Sequence, residues 1–488
     1  MSVTLDQHLA GNRLPLVAEL VEFPDPIEAL SRVIDLPRPL LLESARTDTE
    51  LGRYSFLMAD PFRTFDLQEA TTGDDPFFEL RAELEQFQAN HIEGLPPFQG
   101  GAAGLFSYEL GHAWEKLPHA VFDEFQIPAF CAGLYDWVIA WDHREQRCWI
   151  ISHGFSPSAN LDQNARAKRT SDELKQRLSS SSSSQGTGLS SPANRVEIQS
   201  AKFPLSHRVA RGSGQQPEYV SNFSEEGYLE AVTRVQEYIT DGDIFQANLS
   251  QRLLTPQRTD SLPLYSQLRT RNPAPFAAYY QQDDWFLASS SPERFVQVQG
   301  KQVSTRPIKG TRQRRRAEAD LFTRDELRQS EKDRSENVMI VDLLRNDLSR
   351  VCRPGTIHVP DLCRVEMYET VQHLVSEVRG ELQPDKTVWD LIAATFPGGS
   401  ITGAPKIRAM QVITELETTA RGPYCGSLFY SGFNGHFDSS ILIRTLTGKG
   451  GWIQLPVGGG IVIQSDPLQE YEETMHKAAG MRRALGTS

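Results

Sequence analysis

The stretch Phe276–Ser291, FAAYYQQDDWFLASSS, decides the fold class. Two runs rich in Tyr, Phe and Trp flank a polar QQDD centre. Aromatic and apolar runs of strand length around such a centre read as an antiparallel hairpin. Outward from it, IFQANLSQRLL (244–254) and GWIQLPVGGGIVI (451–463) read as further strands, the second broken by its glycines. CAGLYDWVIAWD (131–142) and RCWIISHGF (147–155) add β-rich runs earlier in the chain. Between them stand segments with apolar residues at helical spacing: EEGYLEAVTRVQEYITDGD (225–243), RSENVMIVDLLRNDLSR (334–350), KIRAMQVITEL (406–416) and DPLQEYEETMHKAAGMRRAL (466–485). Strands and helices mixed in this way predict an α+β protein.

The 488 residues, 39% of them hydrophobic, exceed one small domain. Residues 14–155 read as an N-terminal α+β region and 219–488 as a second, motif-dense region. Between them, 156–216 reads as a linker or long loop. It opens with a helical piece, NLDQNARAKRTSDELKQRL (160–178), and continues into six serines, Ser179–Ser184, and QGTGLSSP, which carry too little apolar surface to fold alone. The glycine cluster Gly100–Gly104 lacks the spacing of a phosphate loop and reads as tight turns between strands.

A net charge of −13 argues against a nucleic-acid partner. No apolar run reaches the roughly 18 residues of a membrane span, and the N-terminus does not read as a signal peptide. Five scattered cysteines without a CxxC pair read as thiols in a reducing compartment, so a cytoplasmic protein is expected.

Two helices carry acids at i and i+3: Asp333 with Glu336, and Glu470 with Glu473. Such pairs share a helix face and repel each other. They are either two solvated acidic faces or, if they converge, ligands of a hard cation such as Mg²⁺. Gly458–Gly460 marks either a bulge or a close backbone approach by a ligand. Arg444 falls in SSILIRTLT, which reads as an apolar strand, so it points outward or pairs with an anion. FPGGSITGAPK (396–406) is a glycine-rich turn leading into a helix N-terminus, a place that favours anions.

FPGGSITGAPK, MIVDLLRNDL, YETVQHLVSEV, RGPYCGS, FDSSILIRTL and VGGGIV, in the order they occupy along the chain, resemble the chorismate-utilising enzymes. LLLESARTDTELGRYSF and GGAAGLFSYEL resemble the N-terminal region of the members that aminate chorismate, so the likeness spans nearly the whole chain. It implies a two-lobed α+β unit with large antiparallel sheets packed face to face and helices outside. It implies direct Mg²⁺ ligation by Glu336 and Glu473, with Asp333 and Glu470 as a second acidic pair. The metal would hold the ring carboxylate of chorismate. Tyr424, Arg444 and the backbone of Gly458, Gly459 and Gly460 resemble contacts to the enolpyruvyl carboxylate, and Gly310, Thr311, His373 and Lys477 fall on other pocket positions.

Three residues then divide the family. Glu293, in SSSPERF, resembles the general acid that protonates the departing C4 hydroxyl, a role worth roughly 10²–10⁴-fold. Gln246 stands where water-adding members carry a lysine base, and an amide cannot take that proton. Lys309, in RPIKGT, stands where the 2-aminating members typically have alanine. It resembles the nucleophilic lysine of the 4-aminating members, which attacks C2 before ammonia adds at C4. A lysine nucleophile must be partly neutral, a state favoured by burial beside cations, and Arg306 and Arg312 are near in sequence.

The likeness also implies partners. Ammonia would come from a separate glutamine amidotransferase subunit, and the 4-amino-4-deoxychorismate product would pass to an aminodeoxychorismate lyase. Ser44 in LLES, with Pro275 and Phe276, resembles a tryptophan pocket in which tryptophan would be a structural ligand.

Overall fold

Alternation along the hairpin shows how the molecule is layered. In the computed structural model, which describes residues 14–47, 51–156, 162–180, 188–190, 207–209, 219–313, 330–367 and 371–486, the hairpin pairs Phe276–Gln281 with Trp285–Ser291. Ala278, Tyr280, Trp285 and Leu287 face one hydrophobic cluster, whereas Tyr279, Phe286 and Ala288 face another. Side chains alternate across a strand, so a strand buried on both faces reads as a continuous apolar run.

The hairpin lies in the middle of a 13-stranded sheet. On one side stand Leu40–Glu43, Tyr54–Met58, Trp137–Asp142, Arg147–Ser152 and Leu16–Glu19. On the other stand Thr445–Lys449, Trp452–Ile461, Gln246–Pro256, Tyr219–Ser221 and His207–Val209, with the short Gly403–Ala404 strand against Gln246 and Ala247. A second, 10-stranded sheet runs from Ile308–Gln313 through Val371–Glu381, Gln302–Thr305, Arg294–Gln299, Phe437–Ser440, Ser427–Gly432, Gly101–Phe106 and Phe130–Tyr135 to Arg63–Leu67, and His358–Met367 also pairs with Val371–Glu381. Both sheets therefore draw strands from either side of residues 156–216.

The sheets pack face to face. Their shared cluster takes Leu40, Val138, Tyr280 and Leu287 from the larger sheet and Leu105, Tyr135, Leu428 and Tyr430 from the smaller. The helices Glu225–Thr240, Ser261–Arg271, Lys406–Glu417 and Pro467–Ala484 cover the outer face of the larger sheet through Val232, Leu264, Val412 and Met475. Glu331–Ser349 and Val388–Thr395 cover the smaller sheet through Ile340, Leu344, Trp389 and Ile392. The α+β fold with helices outside is thus what the chain adopts. The helix Gln163–Ser179 lies in the segment read as a linker; most of 180–216, including Ser181–Ser184, lies outside the described residues.

Local signals set the helix starts. Ser224, Ser330 and Asp466 each accept a backbone N–H at the third residue beyond, from Gly227, Asp333 and Gln469. Such caps satisfy donors that have no partner within the helix. Pro467 follows Asp466 at the first helical position, where its missing N–H is harmless.

Two expectations are corrected. Gly100–Gly104 is not a set of turns, because Gly101–Phe106 is a buried strand. A Cβ on Gly104 would lie 2.1 Å from the Cys131 carbonyl oxygen, so glycine permits the close pairing. Nor do Gly458–Gly460 break their strand: it runs unbroken from Trp452 to Ile461, with Gly458, Gly459 and Gly460 opposite Ser250, Leu249 and Asn248. The five cysteines are free thiols, and no helix among the described residues is long and apolar enough to cross a membrane.

Candidate active site

The chain crosses between the sheets at the two residues with the strongest chemistry. Glu293 follows Trp285–Ser291 of the larger sheet and precedes Arg294–Gln299 of the smaller. Arg444 follows Phe437–Ser440 of the smaller sheet and precedes Thr445–Lys449 of the larger. The Ile441 N–H donates to the Glu293 carbonyl at 3.0 Å and ties the crossings together. Arg444 is therefore not inside a strand, as its apolar neighbours suggested. Its φ of 53° is left-handed, a conformation that ends one ladder before the next begins.

Glu293 is buried, and its carboxyl accepts from the Ser400 hydroxyl at 2.8 Å. Burial pushes it up to about 7, against the opposing pull of Ser400, Lys309, the Ile308 N–H and Arg444. A carboxyl poised there can carry a proton near neutrality and release it. The Lys309 Nζ donates to the Ser400 carbonyl at 3.3 Å and lies 3.9 Å from Glu336 Oε2. Arg306 pairs with Glu366, and the Arg312 side chain lies outside the described residues. Around Lys309 the structure places carboxylates and a carbonyl. Gly310, at φ 75°, sits at the register shift between Lys309 and Thr311 in this edge pairing.

Arg444 is half-buried, and among the described residues its guanidinium has no hydrogen-bonded partner. Burial lowers its hold on the proton, and the Glu293 charge works the other way. A partly desolvated cation without a hydrogen-bonded partner is ready to meet an anion. His373 is buried beside it. Desolvation, with the charges of Arg444 and Arg46, brings its imidazole down to about 3, so it is neutral at working pH. The backbone of Thr311 pairs with His373, while the Thr311 side chain lies outside the described residues. Tyr424 is buried in the core beneath, with the Arg421 guanidinium 5.8 Å from its ring.

The glycine strand forms another wall. Its pairing with Thr445–Lys449 reaches only Gln454, and the next position able to pair on that edge is Pro456, which has no N–H. A Cβ on Gly460 would lie 2.1 Å from Gln246 Nε2 and 3.6 Å from Glu336 Oε2. A Cβ on Gly459 would lie 3.2 Å from Glu470 Oε2 and 3.5 Å from the Lys477 Nζ. The glycines thus let side chains from both faces crowd the strand. Lys477 donates to the Gly458 carbonyl at 2.9 Å and pairs with Glu473 at 2.7 Å. Gln246 is buried, and its Oε1 has no hydrogen-bonded partner among the described residues.

The four acids are hard oxygen donors of the kind Mg²⁺ takes. Here Glu336 faces Lys309, Glu473 pairs with Lys477, and the buried Glu470 accepts from Ser465 at 2.7 Å. Among the described residues no three His, Cys, Asp or Glu side chains gather closely enough to hold an ion. Two lysine ammoniums thus stand against the acids expected to be direct ligands, Lys309 beside Glu336 and Lys477 beside Glu473, and the donor chemistry of the four acids fits a divalent cation.

Ser44 and Pro275 do meet: the buried Ser44 hydroxyl donates to the carbonyls of Tyr54 at 2.8 Å and Pro275 at 3.3 Å. Phe276 beside them lies under the Arg294 guanidinium at 5.3 Å. Sequence reading missed Ser400, hidden as a turn residue in FPGGSITGAPK, and Arg46, two residues after Ser44 yet acting on His373.

The chorismate binding enzyme family matches residues 38–483. Aminodeoxychorismate synthase component 1 of Escherichia coli K12 is 37% identical over 469 residues, covering 93% of this chain and 95% of that one. Anthranilate synthase component 1 of Synechocystis is also 37% identical, covering 97% and 96%. The crystal structure of anthranilate synthase component I from Streptococcus pneumoniae superposes with a TM-score of 0.74 at 28% identity, covering 88% of this chain and 92% of that one.

Proposed function

The chain belongs to the chorismate-binding enzyme family, and on that premise we propose that it aminates chorismate at C4, giving 4-amino-4-deoxychorismate. The observation that carries this reading is the meeting of Lys309 and Glu293 on one residue, Ser400. A 4-aminating route needs both a nucleophile and an acid for the hydroxyl, and these two supply them.

Arg444, with Tyr424 and the open edge of the glycine strand, would take the enolpyruvyl carboxylate. Glu336 and Glu473, with Asp333 and Glu470 behind them, would hold Mg²⁺, which supplies a hard positive charge for the ring carboxylate. Lys309, once neutral, attacks C2, and the two conjugated ring double bonds shift along the ring as the C4–O bond breaks. Glu293 gives its proton to the hydroxyl, which leaves as water. Ammonia then bonds to C4, both double bonds shift back, and the C2–N bond to Lys309 breaks. The new ammonium returns a proton to the Glu293 carboxylate. Atoms balance as chorismate plus ammonia giving product plus water, with both residues restored. The neutral Gln246 offers no base for activating water at the same place.

Ammonia supply by a glutamine amidotransferase subunit is part of this proposal; the Escherichia coli relative is itself named as a component 1. Product analysis tests the reading. Purified protein receives chorismate, Mg²⁺ and ammonium, with and without an aminodeoxychorismate lyase. 4-Aminobenzoate appearing only with the lyase supports C4 amination. Anthranilate and pyruvate appearing without it would assign the chain to the 2-aminating branch.

A further inference from the structure

We propose that Ser400 is a positioning residue that sets the acid Glu293 and the amine of Lys309 against each other, through its hydroxyl and its carbonyl respectively. This deepens the amination reading and rests on it. The two bonds diverge from one residue: the hydroxyl donates to Glu293 Oε1 at 2.8 Å, and the carbonyl accepts from Lys309 Nζ at 3.3 Å. Ser400 itself is buried, so neither bond competes with bulk water.

The loop bearing Ser400 is held from every side. The Lys406 Nζ bonds the Thr395 carbonyl at 2.7 Å and Asp347 at 2.7 Å, closing the loop between the two helices it joins. Arg421 and Asn248 both donate to the Ile401 carbonyl, at 3.0 and 3.1 Å, and the Thr402 carbonyl accepts from the Asn248 N–H at 2.7 Å. A loop fixed so thoroughly on both sides of Ser400 gives its hydroxyl one direction. That direction has a chemical consequence. A hydroxyl that donates to Glu293 favours the carboxylate and so opposes burial, and the charged groups on Lys309 and Arg444 act with it. Ser400 therefore limits how tightly Glu293 keeps the proton that it must deliver.

The test compares Ser400→Ala, Ser400→Thr and the unmodified chain by steady-state consumption of chorismate across pH, with melting temperature measured in parallel. Consumption is scored whichever aminated product forms, so an anthranilate product would overturn the C4 assignment while leaving this measurement valid. Loss of a hydrogen bond to a charged group predicts a kcat for Ser400→Ala lowered by roughly tenfold to a hundredfold. KM should change little, and the alkaline limb of the pH profile should move to higher pH. Ser400→Thr, which keeps the hydroxyl, should restore both. An alanine variant with unchanged kcat and an unmoved alkaline limb overturns the proposal. So does an equal loss in both variants accompanied by an equal drop in melting temperature, which would mark a packing role only.

Discussion

Glu293 and Arg444 occupy adjacent points at which the chain passes between the two sheets, joined by the hydrogen bond from the Ile441 N–H to the Glu293 carbonyl. A crossing is where backbone leaves both ladders, so side chains there are released from the alternation that a strand imposes. The acid and the anion-seeking cation are placed by that single architectural fact, and their opposite charges bear on each other.

Burial of Glu293 costs stability at neutral pH. Its folded value of about 7 lies above the ordinary 4.5. The sign follows: the raised group favours the fold below the ordinary value, and that advantage is lost as pH rises toward 7. Over the full interval the cost is about 3 kcal/mol. Glu293→Gln should therefore raise the melting temperature relative to the unmodified chain, with a gap that widens between pH 4.5 and 7. It should also lose roughly 10²–10⁴-fold in kcat. Thermal denaturation across pH, beside chorismate turnover, checks both; a gap independent of pH would contradict the burial argument.

The same group shapes the rate profile. The proton-carrying form is required, so kcat/KM should decline as pH rises above about 7. A bound dianion beside Glu293 disfavours its ionisation, so the corresponding limb in kcat should lie higher. Coincident limbs would mean that the substrate charges lie far from Glu293.

For Arg444→Gln, opposite effects on binding and stability are expected. The guanidinium lacks a hydrogen-bonded partner among the described residues, so its removal should not lower the melting temperature. A bidentate carboxylate contact would be lost, raising KM by roughly tenfold or more. Calorimetric unfolding together with KM for chorismate separates this from a structural arginine, whose loss would destabilise the protein.

Mg²⁺ should raise the melting temperature of the unmodified chain, because an ion that binds Glu336 and Glu473 of the folded state stabilises that state. Glu336→Gln with Glu473→Gln should abolish that rise and leave the fold standing. A rise unaffected by the double substitution would place the ion elsewhere.

Lys406→Met leaves Asp347 buried without its cation, a loss of about 3–5 kcal/mol. Adding Asp347→Asn should recover part of it. Denaturant unfolding of the single and double variants measures the coupling.

The strands and helices were legible where periodicity was strong. Phe276–Ser291 declared its hairpin, and Asp466-Pro467 declared a helix start. The layered α+β fold came from the resemblance, since periodicity cannot say which strands share a sheet. Arg444 was misplaced because β-branched neighbours signal a strand even where one residue turns left-handed. Gly458–Gly460 looked like a break because glycine lowers strand propensity. Here its missing Cβ lets Gly458 lie against the Leu249 carbonyl, where a Cβ would sit at 2.5 Å. Ser400 escaped notice because a serine among glycines carries no periodic signal, and its partners are distant in sequence.

That both sheets are completed by strands from both ends of the chain bears on how this polypeptide tolerates cutting. In each sheet the strands from before residue 156 form one block and those from after 219 another; the blocks join where Leu40–Glu43 pairs with Phe276–Gln281 and Gly101–Phe106 with Ser427–Gly432, and they share the cluster between the sheets. Severing the backbone in the serine run would leave two fragments, each exposing long unpaired sheet edges and half an interior. Neither piece should persist alone, yet produced together they should reassemble into one active molecule. The serine run is thus a natural place to divide the protein into two complementing chains.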